Sequence, residues 1–237
     1  MAVPMAEWVV AGVLHFLRGF DAAEGQRRAR TWDRGPWVAP TVPAGGGAFA
    51  GPREVGECRV CVVGVRGVGG AVAERLAALG ATCVGVRRRA GLDAPPGFAA
   101  TVGPEGLDDE LRRADVVVLA APSTAETERL LDARRLGLLR PSAIVVNVGR
   151  GALVDEEALV AALAGGRLRG AALDVTAVEP LPARSPLWTL PNVLLTPHVS
   201  ATSARFWPRM LDLFLDNWAR WREGRPLRNR VDVEAGY

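Results

Sequence analysis

Short apolar runs alternate with stretches of helical periodicity through most of the chain. Residues 60–63, 82–86, 116–120, 144–146, 171–175 and 193–195 are short runs dominated by Val, Leu, Ile and Ala, with Thr, Cys and Gly entering at 82–86, which predicts strands buried on both faces. Between them, apolar positions recur every three to four residues over 71–79, 108–113, 133–139 and 156–164, which predicts helices. Strands separated by helices in this way predict an α/β fold, a doubly wound parallel sheet covered on both faces. Two long helices flank it. Over 6–31 one face carries Val9, Val13, Phe16 and Phe20, with Arg18, Glu24, Arg27 and Arg28 mostly away from it; over 203–222, Trp207, Leu211, Phe214, Leu215 and Trp218 recur at helical spacing as a packing surface. Residues 35–52 are rich in Gly and Pro, with GGG at 45–47, and read as an irregular connector.

Composition narrows the classes. At 237 residues, 49% apolar and 23% charged, the chain can bury a core and is not a low-complexity or disordered protein. All 29 basic residues are Arg, spread among 26 acids for a net charge of +3, with no basic run interleaved with aromatics, so no nucleic-acid partner is expected. The first apolar run, residues 8–17, is too short for a bilayer and contains His15; it has no basic residues ahead of it and no small-residue cleavage site behind it. A cytoplasmic protein without a membrane partner is expected. Cys58 and Cys61 form a CxxC inside a predicted strand, where positions three apart face opposite ways, so no metal site is expected.

The stretch GVRGVGG, beginning at Gly64, follows a strand and opens a helix, as a dinucleotide turn must. Gly64 and Gly69 occupy the first and third glycine places. Arg66 stands in the second, and starting instead at Gly67 would put Val72 in the third, a worse fit. A side chain at that place either obstructs the pyrophosphate or pairs with it. Arg87, Arg88 and Arg89 follow the second strand where an acid would hold the ribose of NAD; arginine there suits NADP.

Four further stretches lie at the carboxyl ends of predicted strands, where open α/β sheets place ligands: AAPSTAET, NVGRGALVDEEAL, AALDVTAVEPLP and LLTPHVS. With these the chain resembles the D-isomer-specific 2-hydroxyacid dehydrogenases, from its first helix to the final GY. The resemblance implies a Rossmann-like fold and a catalytic trio: Arg150 in NVGRG, Glu179 in VEP and His198 in TPH. It also implies a cofactor site of Gly64, Arg66, Gly67, Val68, Gly69, Arg87, Arg88, Arg89, Ala121, Pro122, Thr127, Val148, Gly149 and Asp174, the last facing the nicotinamide amide. The expected cofactor is NADP ahead of NAD. The chemistry suits the residues, since imidazole delivers a proton near neutral pH, a carboxylate orients it, and a guanidinium fork grips a substrate carboxylate. His15, the other histidine, is expected to be an ordinary helix residue.

The resemblance further implies an amino-terminal lobe that closes over a small-molecule substrate, and this chain starts at the helix that follows such a lobe. The expected organisation is an inter-lobe or dimerisation helix over 1–34, a connector over 35–55, a dinucleotide-binding unit over 56–200, and a helix with tail over 201–237. A homodimer is expected, with Trp8, Phe16 and Trp218 at a subunit contact. Three readings stay open: an NAD(P)-dependent oxidoreductase, its cleft completed by a second chain or acting on a larger substrate; a repurposed dehydrogenase with non-redox acid/base catalysis, its cofactor binding displaced or altered by Arg66; and a partner-binding protein.

Overall fold

A computed structural model describes residues 1–38, 49–89 and 91–231. The chain opens with α1 (Ala2–Leu17), α2 (Phe20–Ala29) and a single turn, α3 (Gly35–Val38). There follow β1 (Arg59–Val63), α4 (Val68–Ala78), β2 (Thr82–Val86), β3 (Ala100–Val102), α5 (Leu107–Arg113), β4 (Val116–Leu119) and α6 (Ala133–Leu136). The second half holds β5 (Ile144–Asn147), α7 (Glu156–Ala164), β6 (Gly170–Leu173), β7 (Val193–Leu195) and α8 (Phe206–Arg222).

Among the described residues seven strands form one sheet in the order β3-β2-β1-β4-β5-β6-β7, and every pairing is parallel. The order reverses between β1 and β4, which opens a crevice at their carboxyl ends. Alternation explains the layers. Val60, Val62, Val116, Val118, Ile144 and Val146 face one side and pack with Val9, Val13 and Phe16 of α1 and Val72 and Leu76 of α4. Cys61, Val63, Val117, Leu119 and Val145 face the other, against Leu111 of α5 and Leu159 of α7. The doubly wound α/β expectation is met. Cys58 and Cys61 fall on opposite sides of the sheet, as strand geometry requires.

Three expectations are corrected. The single helix over 6–31 is two, because the chain turns left-handed at Gly19 (φ 70°), where a β-carbon would strike the Phe49 ring. Phe20 is therefore exposed, not part of the Val9–Val13–Phe16 face. Phe16 is not at a subunit contact: it is buried against Gly170 of β6 within its own chain. The connector is helical over Gly35–Val38; GGG at 45–47 and the tail residues 232–237 lie outside the described residues. β3 escapes sequence reading because its three residues, Ala-Thr-Val, form an edge strand too short for a pattern.

Arg169, just ahead of β6, holds the α1–α2 corner. Its guanidinium makes a two-pronged pair with Asp21 at 2.6 and 2.7 Å and donates to the Phe16 carbonyl at 3.0 Å. In α8 the outcome is the reverse of α1. It has no buried residue, and Trp207, Leu211, Phe214, Leu215, Trp218 and Trp221 are all exposed. None of the helices among the described residues is long and apolar enough to cross a membrane.

Candidate active site

The parallel sheet brings the carboxyl ends of β1, β4, β5, β6 and β7 side by side, so loops far apart in sequence become neighbours. At the switch point β1 runs into the turn that starts α4. Gly64 has φ 94°, and a β-carbon there would lie 2.8 Å from the Ala120 carbonyl oxygen; at Gly69 it would lie 1.7 Å from that of Gly64. Both glycines are thus demanded by close backbone approach. A β-carbon at Gly67 would meet nothing within 4 Å, so space opens beside the start of an eleven-residue helix. Such a terminus presents N–H groups and a positive dipole end to an anion, and this geometry fits a dinucleotide. Arg66 is exposed and, among the described residues, forms no ion pair that would plug the crevice.

The other loops close around this turn. Val148 and Gly149 follow β5, and a β-carbon on Gly149 would lie 2.8 Å from the Ala121 carbonyl oxygen. Thr127 ties down the loop after β4: its hydroxyl donates to the Pro122 carbonyl at 2.7 Å and accepts from the Thr124 N–H at 2.8 Å. Val68 begins α4 beside Gly67. The three arginines after β2 separate. Arg87 turns back to donate to the Leu92 and Asp93 carbonyls, bracing its own loop, whereas Arg88 and Arg89 are exposed.

Glu179 and His198 meet. Glu179 Oε1 accepts the Thr176 N–H at 3.1 Å, and Oε2 lies 2.7 Å from Nδ1 of His198. Burial pushes the Glu179 carboxyl up, but the bonds from His198 and Thr176 outweigh it and hold the group below the ordinary carboxylate range. Both side chains stay open to a ligand, His198 at 49% and Glu179 at 38% exposure. Arg150, at the end of the neighbouring strand, is exposed and donates to the Gly149 carbonyl at 2.7 Å.

Asp174, directly after β6, is tied into the turn that follows β7. It is buried, and its carboxylate accepts from the Thr196 hydroxyl at 2.6 Å, the Val199 N–H at 2.8 Å and the Ser200 N–H at 2.9 Å. Its carbonyl accepts the His198 N–H at 2.8 Å. Burial raises its pKa, and the hydrogen bonds from Ser200, Thr196 and Val199 more than reverse this. These contacts shape the turn that sets His198 at φ 57°, a conformation a non-glycine residue keeps only when its surroundings impose it. Asn147 plays a similar part for Arg150: its side chain donates to the Arg150 carbonyl at 3.0 Å and accepts the Gly149 N–H at 3.0 Å. Sequence reading quotes Asn147 inside NVGRG without giving it a role; a polar residue ending an otherwise apolar strand was the available signal.

His15 packs edge-on to Phe16 at 4.9 Å, far along the chain from this site and within α1, as an ordinary helix residue. No thiol competes as a nucleophile among the described residues, since burial pushes Cys61 up to about 12 and Cys58 and Cys83 up to about 11.

Known proteins share this arrangement. Residues 10–200 match the family model for the D-isomer specific 2-hydroxyacid dehydrogenase, NAD binding domain. D-3-phosphoglycerate dehydrogenase of Mycobacterium bovis is 39% identical over 201 residues, 84% of this chain and 35% of that enzyme. Glyoxylate/hydroxypyruvate reductase A of Salmonella newport is 33% identical over 239 residues, covering 100% of this chain and 70% of the reductase. The chain thus spans about a third of the mycobacterial enzyme's length. Among solved structures, a D-isomer specific 2-hydroxyacid dehydrogenase from Xanthobacter autotrophicus Py2 in complex with NADPH and MES aligns with a TM-score of 0.85 at 36% identity, covering 100% of this chain and 90% of that one. The turn, the paired Glu179 and His198 and this likeness agree: the chain belongs to the D-isomer specific 2-hydroxyacid dehydrogenase family, by the family's NAD-binding domain.

Proposed function

We propose that this chain is an NADPH-preferring oxidoreductase that interconverts a 2-oxo acid and its 2-hydroxy acid, with His198 as the general acid and base. The observation that carries the reading is the 2.7 Å contact between Glu179 and Nδ1 of His198. With Nδ1 occupied by a carboxylate, Nε2 is the ring nitrogen left to give a proton to the substrate oxygen on reduction and take it back on oxidation. Arg150 pairs with the substrate carboxylate. A bound reduced nicotinamide supplies the hydride. Gly64, Gly67, Val68 and Gly69 make room for the pyrophosphate, Arg66 pairs with it from outside, and Ala121, Pro122, Thr127, Val148 and Gly149 line the nicotinamide side. Arg88 and Arg89 face the 2′-phosphate. Asp174 acts by holding the His198 turn.

The bound NADPH of the Xanthobacter relative supports the cofactor preference, and the Salmonella relative makes glyoxylate and hydroxypyruvate the first substrates to try. In this reading residues 56–200 form the dinucleotide-binding unit, the exposed face of α8 serves assembly, and the protein works in the reducing cytoplasm, where its three free thiols stay reduced. The exposed Trp218 face of α8 supports a homodimer.

Titration calorimetry with NADPH and NADH, followed by NADPH-oxidation rates on glyoxylate and hydroxypyruvate, tests this. Tighter binding of NADPH and turnover of a 2-oxo acid are expected. No binding at millimolar cofactor would end the redox reading. Arg66→Gly should weaken NADPH; a gain in affinity would mark Arg66 as an obstruction.

A further inference from the structure

We infer that Glu156, at the start of α7, is a positioning residue for the Glu179–His198 pair. It follows Asp155, whose carboxylate already caps α7 by accepting the Ala158 N–H at 3.1 Å. With the cap supplied, a first-turn glutamate ordinarily points to water and gains only from the helix dipole. Glu156 instead reaches across to the next loop, where its Oε2 accepts the Ala177 N–H at 2.8 Å, 21 residues away.

That contact falls at a decisive place. Thr176 and Ala177 are adjacent, and the Thr176 N–H is the anchor for Glu179 Oε1. Two successive N–H groups are therefore gripped by two carboxylates, one from inside the loop and one from α7. The grip is backed by steric contact: a β-carbon on Gly151 would lie 1.9 Å from the Thr176 carbonyl oxygen, so the turn after Arg150 rests directly on the same peptide. Asp174 fixes the loop at its other end through the 196–200 turn. Between these fixed points Glu179 has one oxygen on Thr176 and the other on His198. Ala177 itself is exposed, so without Glu156 its N–H turns to water, the loop loosens, and Glu179 spends less time on Nδ1. Glu156 touches no reacting atom and acts through Thr176 and Glu179.

The catalytic consequence rests on the function proposed above, but the positioning claim does not, and the experiment separates them. The protein has two histidines, so ¹⁵N signals of its imidazoles are assigned with one His15→Gln variant. The ring-nitrogen shifts report the share of the Nδ1–H tautomer in neutral His198. Glu179→Gln sets the value for a lost carboxylate partner. Glu156→Ala is expected to move the share toward that value, and Glu156→Gln, whose amide oxygen still accepts from Ala177, to restore it. In rates, Glu156→Ala should lower kcat about three- to tenfold with NADPH affinity unchanged, and Glu156→Gln should return it to within twofold. Should Glu156→Ala fail to fold, Glu156→Met keeps the side-chain stem and removes only the acceptor. A folded Glu156→Ala or Glu156→Met protein whose His198 tautomer matches the parent overturns the inference. Absence of turnover in the parent chain would instead overturn the oxidoreductase reading and leave the tautomer result standing.

Discussion

The two edges of the sheet use the same kinds of charged residue to opposite ends. At the amino edge, Asp115 accepts the Arg59 N–H at 2.9 Å and pairs with Arg53 at 3.1 Å, Glu110 pairs with Arg59 at 2.7 Å, and Arg169 grips Asp21. Asp115 and Glu110 are buried there, and each has its partners. At the carboxyl edge, Arg66, Arg150, Glu179 and His198 are exposed, and among the described residues only Glu179 and His198 of these four form an ion pair. Charges that satisfy one another inside the fold stabilise it and cannot meet a ligand; charges left open can. Asp174 marks the boundary, since it lies at the carboxyl edge yet is saturated and serves to hold the His198 turn.

The largest expected effect separates the edges by activity. His198→Gln should lower kcat by about 10² to 10⁴ and leave the melting temperature nearly unchanged, because the ring is half exposed. Initial rates and a thermal melt on one preparation check both halves; a loss of stability matching the loss of rate would place His198 among the structural residues. Asp115→Ala is the counterpart. It leaves the Arg59 N–H without its acceptor and takes from Arg53 the nearer of its two acids, so it should cost about 1–3 kcal/mol, with kcat per folded molecule unchanged. Denaturant unfolding measures it, and a cost near zero would break the contrast.

The same difference explains what the sequence made legible. Six strands and the sheet class could be read because a strand buried on both faces must be apolar throughout, and the trio Arg150, Glu179 and His198 could be named because NVGRG, VEP and TPH carry the resemblance to a known family. Helical spacing, in contrast, shows that one face is apolar and not what covers it: Val9 and Val13 of α1 are buried, while Trp207 at 77% and Trp218 at 51% exposure are not. Gly19 lies inside the periodic stretch over 6–31, and only the Phe49 ring beside it shows why the helix ends there. The roles of Asp174 and Glu156 depend on partners 26 and 21 residues away, which no local pattern records. The turn of Arg87 onto the Leu92 and Asp93 carbonyls is likewise visible only in three dimensions.

Acid sharpens the contrast at the open edge. The Glu179 carboxyl sits below its unfolded value, near 4.5, when paired with His198. Its contribution to stability is therefore fully present above that value and is lost as pH falls through the lower, folded one. Glu179→Gln should remove this part of the acid dependence, seen as a flatter plot of urea midpoint against pH below 5. The same variant loses one charge-assisted hydrogen bond to His198 and should cut kcat by roughly 10- to 150-fold, the equivalent of about 1.5–3 kcal/mol. A parallel acid limb in parent and variant would mean that Glu179 does not hold the imidazole in solution.

The smallest effect asks whether burial or pairing makes the amino edge strong. Arg53 faces two acids: Asp115 at 3.1 Å with 10% of its side chain exposed, and Glu57 at 3.7 Å with 58% exposed. If pairing alone mattered, both acids would contribute comparably. An exposed pair is screened by water and salt, so Glu57→Ala should cost less than about 1 kcal/mol, even with its bond from the Glu54 N–H lost as well. That small cost should shrink further in 0.5 M salt, whereas the cost of Asp115→Ala should persist, because the stranded groups are shielded from ions. Equal costs for the two variants at low salt, both vanishing at high salt, would show that the amino edge is held by surface charge and would remove the physical basis for the difference between the two edges.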